Sequence, residues 1–319
     1  NVLSRGDKIL TLESGAFAAG WGEMGEIMGA SVERLPGDWR RAVDPAEVEE
    51  RLRADTAGEI KAVLTVQVDT ASGVVNDIPA IRKAIDDAGH GALFMVDTIA
   101  SLGTMAFEMD QWGVDVSVTG AQKGLMVPPG LSFVAAGPKA KAAHEHAGLR
   151  THYWDWTFRE GKVHYQKYCG TPPEHMLFAL RKALDLLLEE GLGHAIERHR
   201  LLADATRAAV GAWAQGGVLE FNITDPEERS NSVTTIVTAD GSDPQPIIEF
   251  CRETCGVVLG IGISALDGKA IRIAHMGHVN APMVLGTLGA TETTLKALGV
   301  PHGPGVQAAV QSLGSALKR

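Results

Sequence analysis

Sulfur and aromatic side chains are scarce in this chain, and no part of it is long and apolar. Only 3 of its 319 residues are cysteines, Cys169, Cys251 and Cys255. That is too few for a disulfide framework, so the expected setting is a reducing compartment, the cytoplasm. Cys251 and Cys255 stand four apart on an expected helix, which reads as core packing rather than a redox pair. No run of about 18 apolar residues occurs, so no segment is expected to span a bilayer as a helix. Positive charge is also short. The 29 Lys and Arg against 39 Asp and Glu leave a net charge of −10, which argues against a nucleic-acid or anionic-membrane partner. There is no P-loop and no Gly-x-Ser-x-Gly elbow. His144-Glu145-His146 and the pair His275 and His278 lack a third ligand at a useful spacing, so no metal is expected. Gly260-Ile261-Gly262-Ile263-Ser264-Ala265 imitates a dinucleotide fingerprint. However, a strand rather than a helix is expected after it, and no Asp or Glu occurs from Gly268 to Thr291. A nicotinamide-dependent oxidoreductase is therefore a distant reading.

What is present is an ordinary globular composition, 45% apolar and 21% charged, in a chain long enough that two domains are expected. The first half alternates strand and helix. Strands are expected at Ile9–Leu12, Lys61–Val68, Leu93–Asp97 and Leu131–Ala136, and another within the run Val114–Gly124, ahead of Lys123. A helix is expected over Ala46–Ala54, capped by Asp44-Pro45, and another over Ile78–Ala88. Such alternation implies a largely parallel sheet with helices on both faces, whose ligands bind at the carboxyl ends of the strands. Residues 150–171 read as aromatic and irregular. Pro172-Pro173 then opens a long helix, broken at Gly191, and a second helix runs to about Trp213. Beyond it the pattern is α+β: strands at Val233–Thr238, Val257–Leu259 and Ala270–Ala274, and helices at Pro246–Cys255 and Pro282–Leu298. The expected division is a large domain, 1–190, and a smaller C-terminal domain, 191–319. The first residues read as the tail of a helix followed by a glycine turn.

Three charged residues sit where charge is costly. Lys123, in Gly120-Ala121-Gln122-Lys123-Gly124, lies at the mouth of an apolar strand, where an ammonium loses hydration. A lysine there commonly snorkels to solvent. Asp97 ends a second apolar strand, where an acid could also cap a helix or pair with a lysine. Together, a strand-end amine and a strand-end acid suit a pyridoxal phosphate enzyme. The amine attaches the cofactor, and the acid keeps its pyridine nitrogen protonated. Arg272, in the alternating strand Ala270–Ala274, either faces solvent or offers a planar fork to a carboxylate.

Val96-Asp97-Thr98, the segment Gly120-Ala121-Gln122-Lys123-Gly124-Leu125-Met126-Val127-Pro128-Pro129-Gly130-Leu131 and the pair Tyr168 and Thr171 resemble class V, fold-type I aminotransferases. Among these the chain is most like the serine–glyoxylate and alanine–glyoxylate enzymes, and the likeness runs from Asn1 to roughly Leu298. The resemblance implies a mostly parallel sheet sandwiched by helices plus a smaller C-terminal α+β domain. It implies pyridoxal 5'-phosphate as cofactor, with Lys123 forming the Schiff base and shuttling the proton, and Asp97 on the pyridine nitrogen. Thr70 would lie beside the phenolic oxygen, Phe17 would stack on the ring and Gln122 would reach the phosphate. Tyr168 and Thr171 would bind the phosphate of the neighbouring subunit's cofactor, making the enzyme a homodimer. Arg272 would hold the substrate carboxylate. The family's phosphate loop lies just before the segment matching Asn1-Val2-Leu3, so the N-terminal part of the fold is expected to be missing from this chain. The activity implied is ping-pong transfer of an amino group from serine, or alanine, to glyoxylate. The alternative is an enzyme pairing pyridoxamine or another amine with pyruvate. A cysteine desulfurase fits less well, because Cys169 falls inside the phosphate clamp, and a non-catalytic relative is a further reading.

Overall fold

The computed structural model describes residues 1–239 and 241–316. Its first half winds strands and helices in the order β1 (Lys8–Leu12), α1 (Ala16–Met28), β2 (Ser31–Leu35), α2 (Pro45–Ala54), β3 (Ile60–Val66), β4 (Val68–Asp69), β5 (Val74–Val75), α3 (Ile78–Asp87), β6 (Leu93–Asp97), β7 (Val116–Gly120) and β8 (Ser132–Ala136). Local chemistry sets the helix starts. Asp44 accepts from the amide of Ala46 with Pro45 in the first turn, and Asp77 accepts from the amide of Ala80.

Six of these strands form one sheet in the order β2-β1-β3-β6-β7-β8, in which only the β7–β8 pairing is antiparallel. Alternate residues feed two cores. Leu10, Leu12, Val63, Phe94 and Val96 pack with Val48 and Leu52 of α2 and Ile81 and Ile85 of α3. Ile9, Ala62, Leu64, Leu93 and Val116 pack on the opposite face, with Ala140 of α4 (Pro138–His146). Both faces are therefore covered, which the continuous apolar character of these strands requires. Truncating Phe94 to Ala, for example, costs about 3–5 kcal/mol of stability.

Two short helices, α5 (Trp156–Arg159) and α6 (His164–Tyr168), occupy the stretch read as irregular. Helix α7 (Glu174–Glu190) then leads through Gly191 to α8 (Leu192–Trp213). The remainder is β9 (Leu219–Phe221), β10 (Val233–Thr238), α9 (Gln245–Cys255), β11 (Gly260–Ile261), β12 (Ala270–Ala274), α10 (Ala281–Ala297) and α11 (Gly305–Ala316). Its four strands form an antiparallel sheet in the order β11-β12-β10-β9, packed on the helices around a fully buried Trp213. No helix among the described residues is long and apolar enough to cross a membrane.

Besides the short helices α5 and α6, the structure departs from the sequence expectations in three further places. Residues 257–259 form no strand. After Gly256 ends α9 in the left-handed conformation, the Val257 amide turns back to the Cys251 carbonyl, and pairing with β12 begins only at Gly260. The strand expected over Lys61–Val68 divides at Gln67, whose amide bonds to the Asp97 carbonyl, and Val68–Asp69 turns away to pair with β5. Residues 1–4 take no helical turn.

Candidate active site

Strand β1 lies between β2 and β3, so the chain leaves it in one direction and returns on the other side. In a doubly wound sheet a ligand crevice forms at such a reversal, beyond the carboxyl ends of the strands. The segments that emerge there carry the candidate residues. After β1 comes Ser14-Gly15-Ala16-Phe17, after β3 come Asp69 and Thr70, β6 ends on Asp97, and β7 runs into Gln122 and Lys123.

Asp97 is in register with Val66 of β3 and Val118 of β7, which fixes its backbone from both sides. One carboxylate oxygen accepts the amide of Ile99 at 2.6 Å, and the other has no hydrogen-bond partner among the described residues. Burial pushes its carboxyl up to about 6, with the Asp69 carboxylate adding to the rise; the Ile99 amide and the Lys123 amine oppose it.

Lys123 sits in a tight turn. The Met126 amide bonds to the Lys123 carbonyl and the Val127 amide to the Ala121 carbonyl, with Met126 itself left-handed at φ 63°. Gly124 is obligatory here, because a Cβ would lie 2.0 Å from the carbonyl oxygen of Leu102. Among the described residues the Lys123 amine forms no hydrogen bond or ion pair. Burial lowers its pKa, the Arg272 charge lowers it further, and Asp97 opposes both. A larger share of neutral amine at physiological pH is what a nucleophilic or proton-carrying lysine needs.

Arg272 reaches into this site from the other sheet. Its Nε donates to the Ile261 carbonyl at 2.6 Å and its Nη1 to the Thr70 carbonyl at 2.8 Å. Burial lowers its pKa and the Asp69 charge opposes that, while the guanidinium stays charged. Nη2 has no partner among the described residues, which leaves an edge of the fork for a ligand.

Thr70 is buried, and its hydroxyl makes no hydrogen bond among the described residues. Phe17, on the first turn of α1, is 44% exposed. Gln122 is exposed and adjoins Lys123. Among the described residues no hydrogen bond links Tyr168 or Thr171 to this cluster; Tyr168 ends α6 and Thr171 is exposed in the following loop.

A profile of the family described as aminotransferase class-V matches residues 1–279. The chain belongs to the class V aminotransferase family. It is 40% identical over 317 residues to a serine–glyoxylate aminotransferase of Methylorubrum extorquens, covering 98% of this chain and 78% of that relative. It is 39% identical to an L-aspartate–glyoxylate aminotransferase of Paracoccus denitrificans, covering 97% and 78%. Among solved structures, pyridoxamine–pyruvate aminotransferase from Mesorhizobium loti superposes with a TM-score of 0.88 at 29% identity, covering 99% of this chain and 80% of that one. This class V aminotransferase thus has the α/β architecture of fold-type I enzymes.

One residue of the cluster in this aminotransferase escapes a reading of the sequence. Asp69 is wholly buried, and its carboxylate accepts the amides of Phe17, Ala18 and Ala71. The signal was present: like Asp97, it is an acid closing an apolar run. Its partners lie 51 and 52 residues upstream, where sequence spacing gives no hint of contact.

Proposed function

We propose that this class V aminotransferase uses pyridoxal 5'-phosphate to move an amino group from a small amino acid, serine or alanine, to glyoxylate, forming glycine in ping-pong exchange. One observation carries the reading. The Lys123 amine, one oxygen of Asp97 and Nη2 of Arg272, each without a hydrogen-bond partner among the described residues, come from three distant segments and act on one another electrostatically. The residues fit the cofactor: Asp97 has an acceptor left for a pyridine N–H, Lys123 an uncommitted amine, and Thr70 an uncommitted hydroxyl.

When bound, the cofactor supplies the electron sink that makes the α-hydrogen of an amino acid removable. Asp97, aligned by its Ile99 bond, would hold the proton on the pyridine nitrogen. Thr70 would donate to the phenolic oxygen, Phe17 would cover one face of the ring and Gln122 would approach the phosphate. Arg272 would bind the substrate carboxylate and orient the α-carbon. Lys123, once released from the cofactor, would take the proton from the α-carbon and return it one position along. A single fork for a single carboxylate supports a small substrate, as does the likeness to the Methylorubrum serine–glyoxylate enzyme.

The test is spectroscopic. Wild type with added cofactor should show the visible band of the lysine-linked form, and Lys123→Ala should lack it and lose activity by about 10²–10⁴-fold. A wild type that stays colourless would sink the reading. A second reading, pyridoxamine or another amine as donor with pyruvate as acceptor, is favoured by the fit to the Mesorhizobium structure. Half-reactions with serine, alanine, aspartate and pyridoxamine separate the two.

We also propose a homodimer in which Tyr168 and Thr171 hold the phosphate of the partner subunit's cofactor. Support comes from the exposed aromatics Tyr153, Trp154 and Tyr165 on the same stretch, which invite a cover. Mixed dimers of Lys123→Ala and Tyr168→Ala subunits should then regain activity, since one of their two sites is intact. Mixed dimers that stay inactive would overturn the arrangement. The proposed division into 1–190 and 191–319 is supported by the change of sheet beyond Gly191; proteolysis in the native state that never cuts near Gly191 would count against it. A cytoplasmic place is supported by three free cysteines, and recovery from a secreted fraction would refute it.

A further inference from the structure

We propose that Asp69 is a positioning residue, whose buried carboxylate locks the start of α1, and with it Phe17, to the Thr70 loop that receives Arg272. The inference rests on the proposed cofactor reading for what Phe17 covers, but the lock itself is visible without it.

The residue before helix α1 is Gly15, which has no side chain to satisfy the first amides. A tertiary cap replaces the local one. One oxygen of Asp69 accepts the amides of Phe17 at 2.9 Å and Ala18 at 3.1 Å, while the other accepts that of Ala71 at 3.0 Å. A carboxylate at a helix N-terminus is favoured by the helix dipole as well as by these charge-assisted bonds. Gly15 is part of the device, because a Cβ there would lie 2.1 Å from Cγ of Asp69. The Ser72 hydroxyl adds a second tie, donating to the Ser14 carbonyl at 2.7 Å. From Asp69 the path continues through the next residue, whose carbonyl accepts Arg272 Nη1. The ring cover, the Thr70 hydroxyl and the carboxylate fork therefore share one rigid frame. Asparagine cannot replace the acid, since its amide nitrogen would face either Ala71 N–H or the pair of helix amides.

Three variants test this: Asp69→Asn, Gly15→Ala and Gly15→Ala in an Asp69→Ala background. In the cofactor-free protein, hydrogen exchange should lose protection over residues 13–20 in Asp69→Asn and in Gly15→Ala, and stay unchanged in β10. The dissociation constant for pyridoxal phosphate should rise roughly tenfold in both, as expected for the loss of a charge-assisted bond. The added alanine should cost nothing further once the Asp69 carboxylate is gone, because nothing remains for it to strike. Protection at 13–20 that survives Asp69→Asn would overturn the proposal, as would a loss of protection spread evenly over both sheets. If Asp69→Asn does not fold, Gly15→Ala decides by the same exchange readout. If wild type binds no pyridoxal phosphate, the functional reading falls, and the exchange result still judges the lock.

Discussion

Arg272 donates from Nη1 to the carbonyl oxygen of Thr70 at 2.8 Å, tying the antiparallel sheet to a loop of the first half across 202 residues of sequence. A second bond, Nε to the Ile261 carbonyl, fixes the other side of the guanidinium. A fork held twice by backbone loses little freedom when it takes up a carboxylate, so its binding energy goes into orientation. The proposed carboxylate fork therefore depends on contact between the two sheets, not on either alone.

Lysine at this position keeps the charge but loses the fork. Its ammonium cannot bond the Thr70 and Ile261 carbonyls and still present two parallel N–H groups to a carboxylate. For Arg272→Lys we expect KM for the amino donor to rise by about 10–100-fold, with the smaller change in kcat. Steady-state kinetics with serine and alanine measure both. Unchanged kinetics would remove Arg272 from the site.

Asp97 makes the stability of the cofactor-free protein depend on pH in a defined direction. Its folded carboxyl is raised to about 6 from an ordinary 3.8, chiefly by burial. Folding therefore favours the neutral acid. That contribution is complete below the unfolded value and is lost as pH rises through the folded one. Asp97→Asn stays neutral throughout, so its stability relative to wild type should climb between about pH 4 and pH 6 by about 3 kcal/mol, then level off. Urea unfolding at several pH values measures the difference. A flat difference across that window would mean that Asp97 is not desolvated.

The residues legible in the sequence were those whose own chemistry clashed with their immediate neighbours. Asp97 and Lys123 each put charge at the end of an apolar strand, and Arg272 interrupts an apolar alternation. Asp44-Pro45 marked the start of α2 by a local hydrogen bond, and Gly256 marked the end of α9 by its left-handed backbone. What sequence could not show was pairing over distance. Asp69 answers the same description as Asp97, yet its role is defined by helix amides some fifty residues earlier, which only the packed fold supplies. The short helices α5 and α6 were missed for a related reason. Pieces of four and five residues have no periodicity to read and depend on their surroundings. The roles proposed for Tyr168 and Thr171 came from family likeness alone, and no hydrogen bond among the described residues links them to the site.

Gly260 shows how a motif can be real in pattern and different in purpose. It opens the glycine run that imitates a dinucleotide fingerprint, but it pairs directly with Arg272 across β11 and β12. A Cβ at Gly260 would lie 3.0 Å from the Arg272 carbonyl oxygen and 3.1 Å from the Arg272 Cβ, so the two strands would have to part by a few tenths of an ångström. The next residue, Ile261, carries the carbonyl that holds Arg272 Nε, so this movement would loosen the fork from below. For Gly260→Ala we expect a stability loss of about 1–2 kcal/mol from overpacking. KM for the donor should rise by several-fold, in the same sense as Arg272→Lys but less steeply. In the Arg272→Lys background the kinetic cost of Gly260→Ala should disappear, because no fork is left to misplace, while the stability cost should persist. Additive kinetic effects would show that Gly260 acts on the site by some route other than Arg272.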